Sequence, residues 1–101
     1  EALFVIFLVD ENGRLAGSLS LRDLVLADPG QSLHELMDDE VVRVMADTGE
    51  EEVGRLMTRY DLLALPVVDE AGRVIGIVTL DDALEAILPE EWKQRLPRLF
   101  R

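Results

Sequence analysis

The chain has 101 residues, a formal net charge of −11 and no cysteine. This length fits one domain or a tight pair of subdomains, and the negative charge disfavours nucleic-acid partners while attracting cations. The absence of cysteine excludes disulfides, thiolate metal sites and thiol nucleophiles. The longest apolar runs, residues 2–9 and 62–68, are far shorter than the ~20 residues that a membrane span needs, so no span is predicted within this chain.

The first third of the chain predicts a β-hairpin followed by a helix. The apolar run 3–9 predicts a buried strand, residues 10–13 a turn and residues 15–19 the return strand. Ser20 is placed to cap a helix over residues 21–27, because its hydroxyl can accept hydrogen bonds from first-turn amides.

The middle of the chain predicts two more helices around a short strand. Residues 32–35 have the Ser-x-x-Glu spacing of a capping box, which predicts one or two helical turns. Residues 41–45 predict a strand. Residues 48–51, Thr-Gly-Glu-Glu, repeat the capping-box spacing, and the apolar positions that follow have helical periodicity, which predicts a helix over residues 50–60.

The strand–turn–strand–helix pattern then returns. Residues 65–68 and 74–78 predict strands joined by a turn at residues 69–72, and Thr79 is placed to cap a helix over residues 80–88. Farther along, Trp92-Lys-Gln-Arg-Leu is amphipathic, which suits docking on a partner or at a membrane surface. Pro97 limits this segment to about two turns, so packing back on the core is the favoured expectation.

The two hairpin–helix segments are copies of one another. A shift of 59 residues, from Gly13 to Gly72, superposes a series of identical residues without a gap. The superposed identities are Val9 on Val68, Asp10 on Asp69, Glu11 on Glu70, Arg14 on Arg73, Gly17 on Gly76, Leu21 on Leu80 and Asp23 on Asp82. Because Glu1 corresponds to Tyr60, at the end of the long predicted helix, the first copy lacks the leading strand and helix of the second. We expect those pieces to precede Glu1 in a longer protein.

This tandem strand–helix–strand–strand–helix unit, with Asp-Glu-x-Gly-Arg in each hairpin turn, resembles the CBS (cystathionine-β-synthase) domain pair, or Bateman module. The segments 20–29 and 51–61 are most similar to the cytosolic CBS pair of MgtE-type magnesium transporters. The resemblance implies an α+β fold of tandem CBS domains. It divides the chain into a partial first unit (1–30), a linker with a short helix (31–40), a second unit (41–88) and a C-terminal tail (89–101).

The two strand-to-helix loops are the strongest candidate sites. Free amides and the helix dipole favour an anion at a helix N-terminus. The resemblance implies that adenosine nucleotides are contacted there by the capping hydroxyl and by the acid three residues later, Ser20 with Asp23 and Thr79 with Asp82. The alternative is purely structural, since helix capping alone explains the same residues.

The first copy is the better candidate for a phosphate. Arg22 can pair with a phosphate, whereas Asp81 stands in its place in the second copy and would repel one. By analogy with the family, the aliphatic residues Val5, Val42 and Leu62 would form the adenine slot, where relatives often have an aromatic ring. The full predicted nucleotide set (ATP or AMP) is Val5, Gly17, Ser20, Arg22, Asp23, Val42, Leu62, Thr79 and Asp82.

The same resemblance implies Mg²⁺ sensing by acids that face neighbouring domains. Oxygen ligands suit Mg²⁺, which takes one or two carboxylates per ion and keeps several waters. Gly49 and Lys93 stand where relatives tend to be acidic, so the array is incomplete. The alternative is a solvated acidic surface. The predicted metal set is Glu51, Asp61, Asp82, Glu85 and Glu90.

No catalytic residue is predicted, because the sole histidine, His34, lies beside an acid on a short helix without a positioned nucleophile. The sequence predicts a non-enzymatic, cytoplasmic regulatory module of a magnesium-transport-type protein, in which adenosine nucleotide and Mg²⁺ control packing. Its expected partners are a second copy of the chain and other domains of the same protein. The alternative is a non-sensing CBS oligomerisation module of a soluble protein. We also expect Phe4, Ile6 and Phe7 to form an exposed apolar patch on the incomplete unit.

Overall fold

The computed structural model describes residues 4–88, so the predictions for the tail lie outside the described residues. Across that range, no helix is long and apolar enough to cross a membrane. The elements in chain order are β1 (Val5–Val9), β2 (Leu15–Ser20), α1 (Leu21–Leu26), α2 (Leu33–Leu36), β3 (Val44–Met45), α3 (Glu50–Arg59), β4 (Ala64–Val68), β5 (Val74–Thr79) and α4 (Leu80–Ile87).

Two equivalent β-hairpins form the framework. β1 pairs antiparallel with β2, and β4 pairs antiparallel with β5, to which β3 adds as a parallel neighbour of β4. In each hairpin turn a glycine adopts positive φ, 82° at Gly13 and 87° at Gly72, a conformation that glycine reaches without steric cost. Asp10 and Asp69 close these turns by accepting hydrogen bonds from the amides two and four residues later.

The two hairpins meet at a pseudo-twofold axis. The Leu15 amide donates to the Gly72 carbonyl, and the Val74 amide donates to the Gly13 carbonyl, both at 3.0 Å. The 59-residue shift carries one residue pair onto the other, so the axis passes through the bridge between Arg14 and Arg73. The repeat seen in the sequence is therefore a repeat in space.

The main core lies in the second unit, where α3 packs against α4 beside the three-stranded sheet. The buried cluster consists of Val44, Val53, Met57, Leu65 and Ala83. Leu65, in β4, is completely buried, and burial of such a side chain stabilises the fold by about 2 kcal/mol. The helix α3 supplies Val53 and Met57 on one face, and its acidic first turn and basic last turn both suit the helix dipole.

The segment after α2 closes the first hairpin. Asp38 and Ser18 exchange backbone hydrogen bonds of 2.9 and 2.8 Å, so this segment lies along the edge of β2. Gly17 permits the approach, because a Cβ there would lie 2.6 Å from the Met37 sulfur and 2.8 Å from the Asp38 carbonyl oxygen.

The predicted fold class is confirmed, as are the helix caps at Ser20 and Thr79 and the capping box that opens α2 at Ser32. The division into units at the stated residues stays a prediction.

Several local predictions are wrong. The first strand is not buried, since Val5 and Val9 at its ends are 40% and 51% exposed. The capping box at Thr48 is absent, because the Thr48 hydroxyl accepts from the Met45 amide at 3.1 Å and Gly49 is the N-cap of α3, without a side-chain bond. The strand predicted over residues 41–45 is shorter in the structure, where β3 covers only two residues, because pairing with β4 begins at Val44. The apolar patch is also smaller than expected: Phe4 is 66% exposed, but Ile6 and Phe7 are half-buried.

Candidate functional site

A cleft of about 330 Å³ opens between the two repeats. This size lies within the range of pockets for small molecules. Its walls come from β1 and β2, from the segment 38–42 that follows α2, and from the segment 60–64 that joins α3 to β4. Both units therefore contribute to one site, which no isolated hairpin could form.

Four residues of the predicted nucleotide set line this cleft: Val5, Ser20, Val42 and Leu62. A fifth lining residue, Asp61, belongs to the predicted metal set. The first copy of the repeat thus supplies the capping serine, and the second supplies the apolar residues Val42 and Leu62.

The remaining predicted nucleotide residues do not line the cleft. Gly17 lies in β2, where it contacts Met37 and Asp38. Arg22 and Asp23 are exposed in the first turn of α1. Thr79 and Asp82 are exposed at the start of α4, at the equivalent position of the second copy.

Ser20 is engaged as a helix cap but keeps hydrogen-bonding capacity. Its Oγ accepts from the Asp23 amide at 3.0 Å. A serine hydroxyl has one donor and two acceptor sites, so the O–H remains able to donate to a ligand. Capping and ligand binding are therefore compatible at Ser20.

In the second strand-to-helix loop, the side chains of both Thr79 and Asp82 already take part in hydrogen bonds. The Thr79 hydroxyl accepts from the Asp82 amide at 3.3 Å, and the Asp82 carboxylate accepts from the Thr79 amide at 3.4 Å. This reciprocal pair is a capping box, which uses one oxygen of the Asp82 carboxylate.

Three aromatic residues also line the cleft, although the sequence predicted only aliphatic ones. They are Phe4, Phe7 and Tyr60. Phe4 is fixed by its carbonyl, which accepts from the Leu21 amide at 3.1 Å. Aromatic faces stack with nucleobases, a contact worth about 1–3 kcal/mol per base. The sequence contained a signal for Tyr60, because it ends the predicted helix two residues before Leu62, which was already assigned to the nucleotide set.

Asp61 has an unusual backbone conformation at the cleft. Its φ is 54°, the one positive φ of a non-glycine residue between positions 4 and 88. The Leu62 amide donates to the Met57 carbonyl at 2.9 Å, and the Asp61 amide donates to the Thr58 carbonyl at 3.4 Å. These two bonds are the Schellman pattern, in which glycine usually occupies the left-handed position. Aspartate is among the few non-glycine residues that adopt this conformation readily, although at a higher cost than glycine.

The predicted metal residues do not converge in the described part of the chain. Over residues 4–88, no group of three or more His, Cys, Asp or Glu side chains forms a candidate metal site. Glu51 lies in the first turn of α3, Asp82 and Glu85 lie on α4, and Asp61 lies at the cleft. Glu90 is outside the described residues.

The fold and the cleft define a tandem CBS arrangement, and the CBS domain profile matches residues 33–89. The chain belongs to the CBS domain family. It is 54% identical over 90 residues to the magnesium transporter MgtE of Thermus thermophilus, a match that covers 89% of this chain and 20% of the transporter. The magnesium transporter MgtE of Bacillus subtilis is 40% identical over the same length, with the same two coverages.

Among solved structures, the chain is similar to the cytosolic domain of the Mg²⁺ channel MgtE in complex with ATP. The TM-score is 0.80 at 55% identity, over 86% of this chain and 35% of that one. The resemblance to the cytosolic CBS region of MgtE-type transporters is thereby confirmed. The chain spans only 20% of the length of the two MgtE transporters.

Proposed function

We propose that the chain is a regulatory module of a magnesium-transport-type protein and that it binds an adenosine nucleotide in the cleft between its repeats. The observation that carries this proposal is the cleft of about 330 Å³, lined by Ser20 from one repeat and by Val42 and Leu62 from the other. The complex of a similar MgtE cytosolic domain with ATP supports the class of ligand.

The lining suggests a division of roles along the ligand. Val5, Val42, Leu62 and the nearby aromatic rings offer an apolar slot for a base. The Ser20 hydroxyl and the acids near the cleft suit the hydroxyl groups of a ribose. Arg22, exposed in the first turn of α1, is the candidate partner for a phosphate outside the slot.

We further propose that Mg²⁺ acts on the acidic faces of α3 and α4. Glu51, Asp82 and Glu85 lie on these helices, and carboxylates suit Mg²⁺ when a facing domain completes its coordination. Each ligand would shift the equilibrium between two packing arrangements of the module, and the size of the shift is limited by the difference between its affinities for the two. Such a module needs no catalytic group. Its place in the cell would be cytosolic, like that of the similar MgtE domain.

A second candidate is a CBS module that associates without sensing a ligand. The observation in its favour is α1, which contributes no buried residue. Val25 and Leu26 of this helix are 72% and 68% exposed. An apolar surface of this kind is typical of an interface, so a homodimer or contact with another domain of the same protein is expected.

Titration calorimetry on the full-length protein separates the two candidates. The proposed function predicts binding heat with ATP or AMP. Asp23→Ala should weaken that binding about tenfold, because Asp23 lies beside the cleft, with its amide bonded to the lining residue Ser20, and is proposed to hold a ribose hydroxyl. Asp28→Ala, which removes an exposed acid just beyond the other end of α1, is the matched control and should bind as the wild type does. Absence of heat with nucleotide and with Mg²⁺ at millimolar concentration would favour the association module.

A further inference from the structure

The second unit has an uncovered sheet edge. β5 is an outer strand of the three-stranded sheet. The link between the hairpins reaches this edge only through the Val74 amide, and farther along β5 no segment among residues 4–88 pairs with it. Ile75 and Ile77, which follow on this strand, both have exposed side chains. An open edge with apolar side chains invites pairing with another strand, and folded proteins usually cover it.

The equivalent edge in the first unit is covered. There the segment after α2 lies along β2, and Ser18 and Asp38 exchange two backbone hydrogen bonds. The 59-residue shift places Ile77 on Ser18. Pro66, which pairs with Ile77 across the hairpin, has no amide hydrogen, which agrees with an Ile77 amide and carbonyl that point to the outer edge. β5 therefore presents the same backbone groups that bind the covering segment in β2.

The glycine at position 76 points to the same edge. A glycine inside a strand weakens the strand and often marks a place where another backbone approaches closely. At the equivalent Gly17 this reason is visible, because a Cβ would overlap the segment after α2. Gly76 has no positive φ, and a Cβ there would meet nothing within 4 Å. The contacts among the described residues do not require glycine at this position, whereas a covering segment would.

The same shift identifies a candidate segment within the chain. It places Leu96 on Met37 and Pro97 on Asp38, so these two residues of the tail correspond to the covering segment of the first unit. Nine residues, 88–96, separate α4 from Pro97, and eleven, 27–37, separate α1 from Asp38. A nine-residue connection can extend to roughly 30 Å, more than the ~12 Å length of α4, so it can return to β5.

The charge of the tail also suits the second unit. Residues 89–101 carry four basic and two acidic side chains, in a chain of net charge −11. The rest of the chain is therefore strongly acidic, and the first turn of α4, directly after β5, contains Asp81 and Asp82. Attraction between the basic tail and this acidic unit favours a docked tail over a detached one.

We propose that residues 96–97 dock on the outer edge of β5 and close the second unit, as the segment after α2 closes the first. The Pro97 carbonyl accepts from the Ile77 amide, and the Leu96 side chain packs over Gly76. Because Pro97 has no amide hydrogen, only one of the two backbone bonds of the first unit forms here. The tail can therefore detach without unfolding the rest of the chain. The inference does not depend on nucleotide binding.

Amide hydrogen exchange, measured by NMR on the 101-residue chain, tests the docking. The Ile77 amide should exchange about tenfold more slowly in the wild type than in Leu96→Asp, which places a charge against Gly76. Gly76→Ala should also speed exchange at Ile77, because its Cβ takes the space of the Leu96 side chain. The urea midpoint of Gly76→Ala should stay near that of the wild type, since only the tail detaches.

Two controls accompany this measurement. Gln94→Asp adds the same charge to the tail at a position equivalent to the exposed Glu35, and it should keep the protection of the Ile77 amide. The Ser18 amide, which is bonded to the Asp38 carbonyl at 2.9 Å, should stay protected in every variant and so reports an intact fold.

A disulfide provides an independent test, because the chain has no cysteine. Residues that pair across an antiparallel ladder lie ~5.5 Å apart between Cα atoms, which is within reach of a disulfide. The double variant Ile77→Cys, Pro97→Cys should therefore form an intramolecular disulfide under mild oxidation. Ile75→Cys, Pro97→Cys, two residues out of register on the same exposed face of β5, is the control and should stay reduced.

Three outcomes would overturn the inference: fast exchange of the Ile77 amide in the wild type, protection that survives Leu96→Asp, or absence of the disulfide between positions 77 and 97. Protection that rises with protein concentration and survives Leu96→Asp would assign the edge to a second copy of the chain, which also contradicts docking of the tail. Should Gly76→Ala fail to fold, Leu96→Asp alone decides, since it changes no residue between positions 4 and 88.

Discussion

Replacement of Asp61 by glycine should stabilise the chain, although Asp61 lines the cleft. The left-handed backbone at this position, with φ of 54°, costs a non-glycine residue about 1 kcal/mol. A carboxylate at a helix C-terminus adds about 0.3 kcal/mol through the helix dipole. Glycine removes both penalties but loses about 0.5 kcal/mol because it orders a more flexible unfolded chain. The net expected gain is roughly 0.5–1 kcal/mol.

Urea unfolding followed by circular dichroism measures this gain as a shift of the midpoint at unchanged slope. Asp61→Asn should fall between aspartate and glycine, since asparagine tolerates the left-handed region. Asp61→Val should destabilise, because a β-branched side chain is a severe outlier at positive φ. Asp39→Gly, at an exposed position without positive φ, is the control and should destabilise slightly. A midpoint for Asp61→Gly at or below that of the wild type would refute the argument from backbone strain.

Two further predictions concern stability. The amides of Arg14 and Arg73, which donate to Asp10 and Asp69 respectively, lower the pKa of each carboxyl below its usual 3.8. The stability that these hydrogen bonds add is therefore present above about pH 4 and is lost as the pH falls through the lowered pKa values. The urea midpoint of the double variant Asp10→Asn, Asp69→Asn should depend less on pH in this acidic range than that of the wild type. An equal acid dependence in variant and wild type would contradict this. Gly17→Ala should cost about 1–3 kcal/mol, because its Cβ would overlap the segment after α2. The equivalent change Gly76→Ala meets nothing within 4 Å and should have little effect on the same unfolding midpoint, so equal losses for the two would refute the packing argument.

Where the structure follows the sequence, the interactions are local. The hairpin turn at Gly13 needs positive φ at one residue and a carboxylate a few positions earlier, and both are visible in the sequence. The caps at Ser20 and Thr79 depend on amides three residues away. Such short-range patterns do not require knowledge of the rest of the chain.

Where the predictions fail, a competing contact decides. Thr48 has the spacing of a capping residue, but its hydroxyl accepts from the Met45 amide, which lies three residues before it. The strand at residues 41–45 has suitable residues throughout, but its length is set by how much of β4 is available for pairing. The candidate site shows the same division. The repeat led to Ser20 and the family resemblance led to Leu62, whereas the position of Tyr60 in the cleft depends on the path of the chain after α3.

The sequence by itself determined the duplication, the hairpin turns, the helix caps and the membership in a family of tandem units. Periodicity and short spacings encode these features directly. Only the tertiary structure decided that the Leu15 and Val74 amides cross-link the two hairpins and that the resulting cleft combines aromatic rings with the acids Asp38 and Asp61. The reason is physical: these residues are far apart in the chain, and their proximity follows from packing between the units.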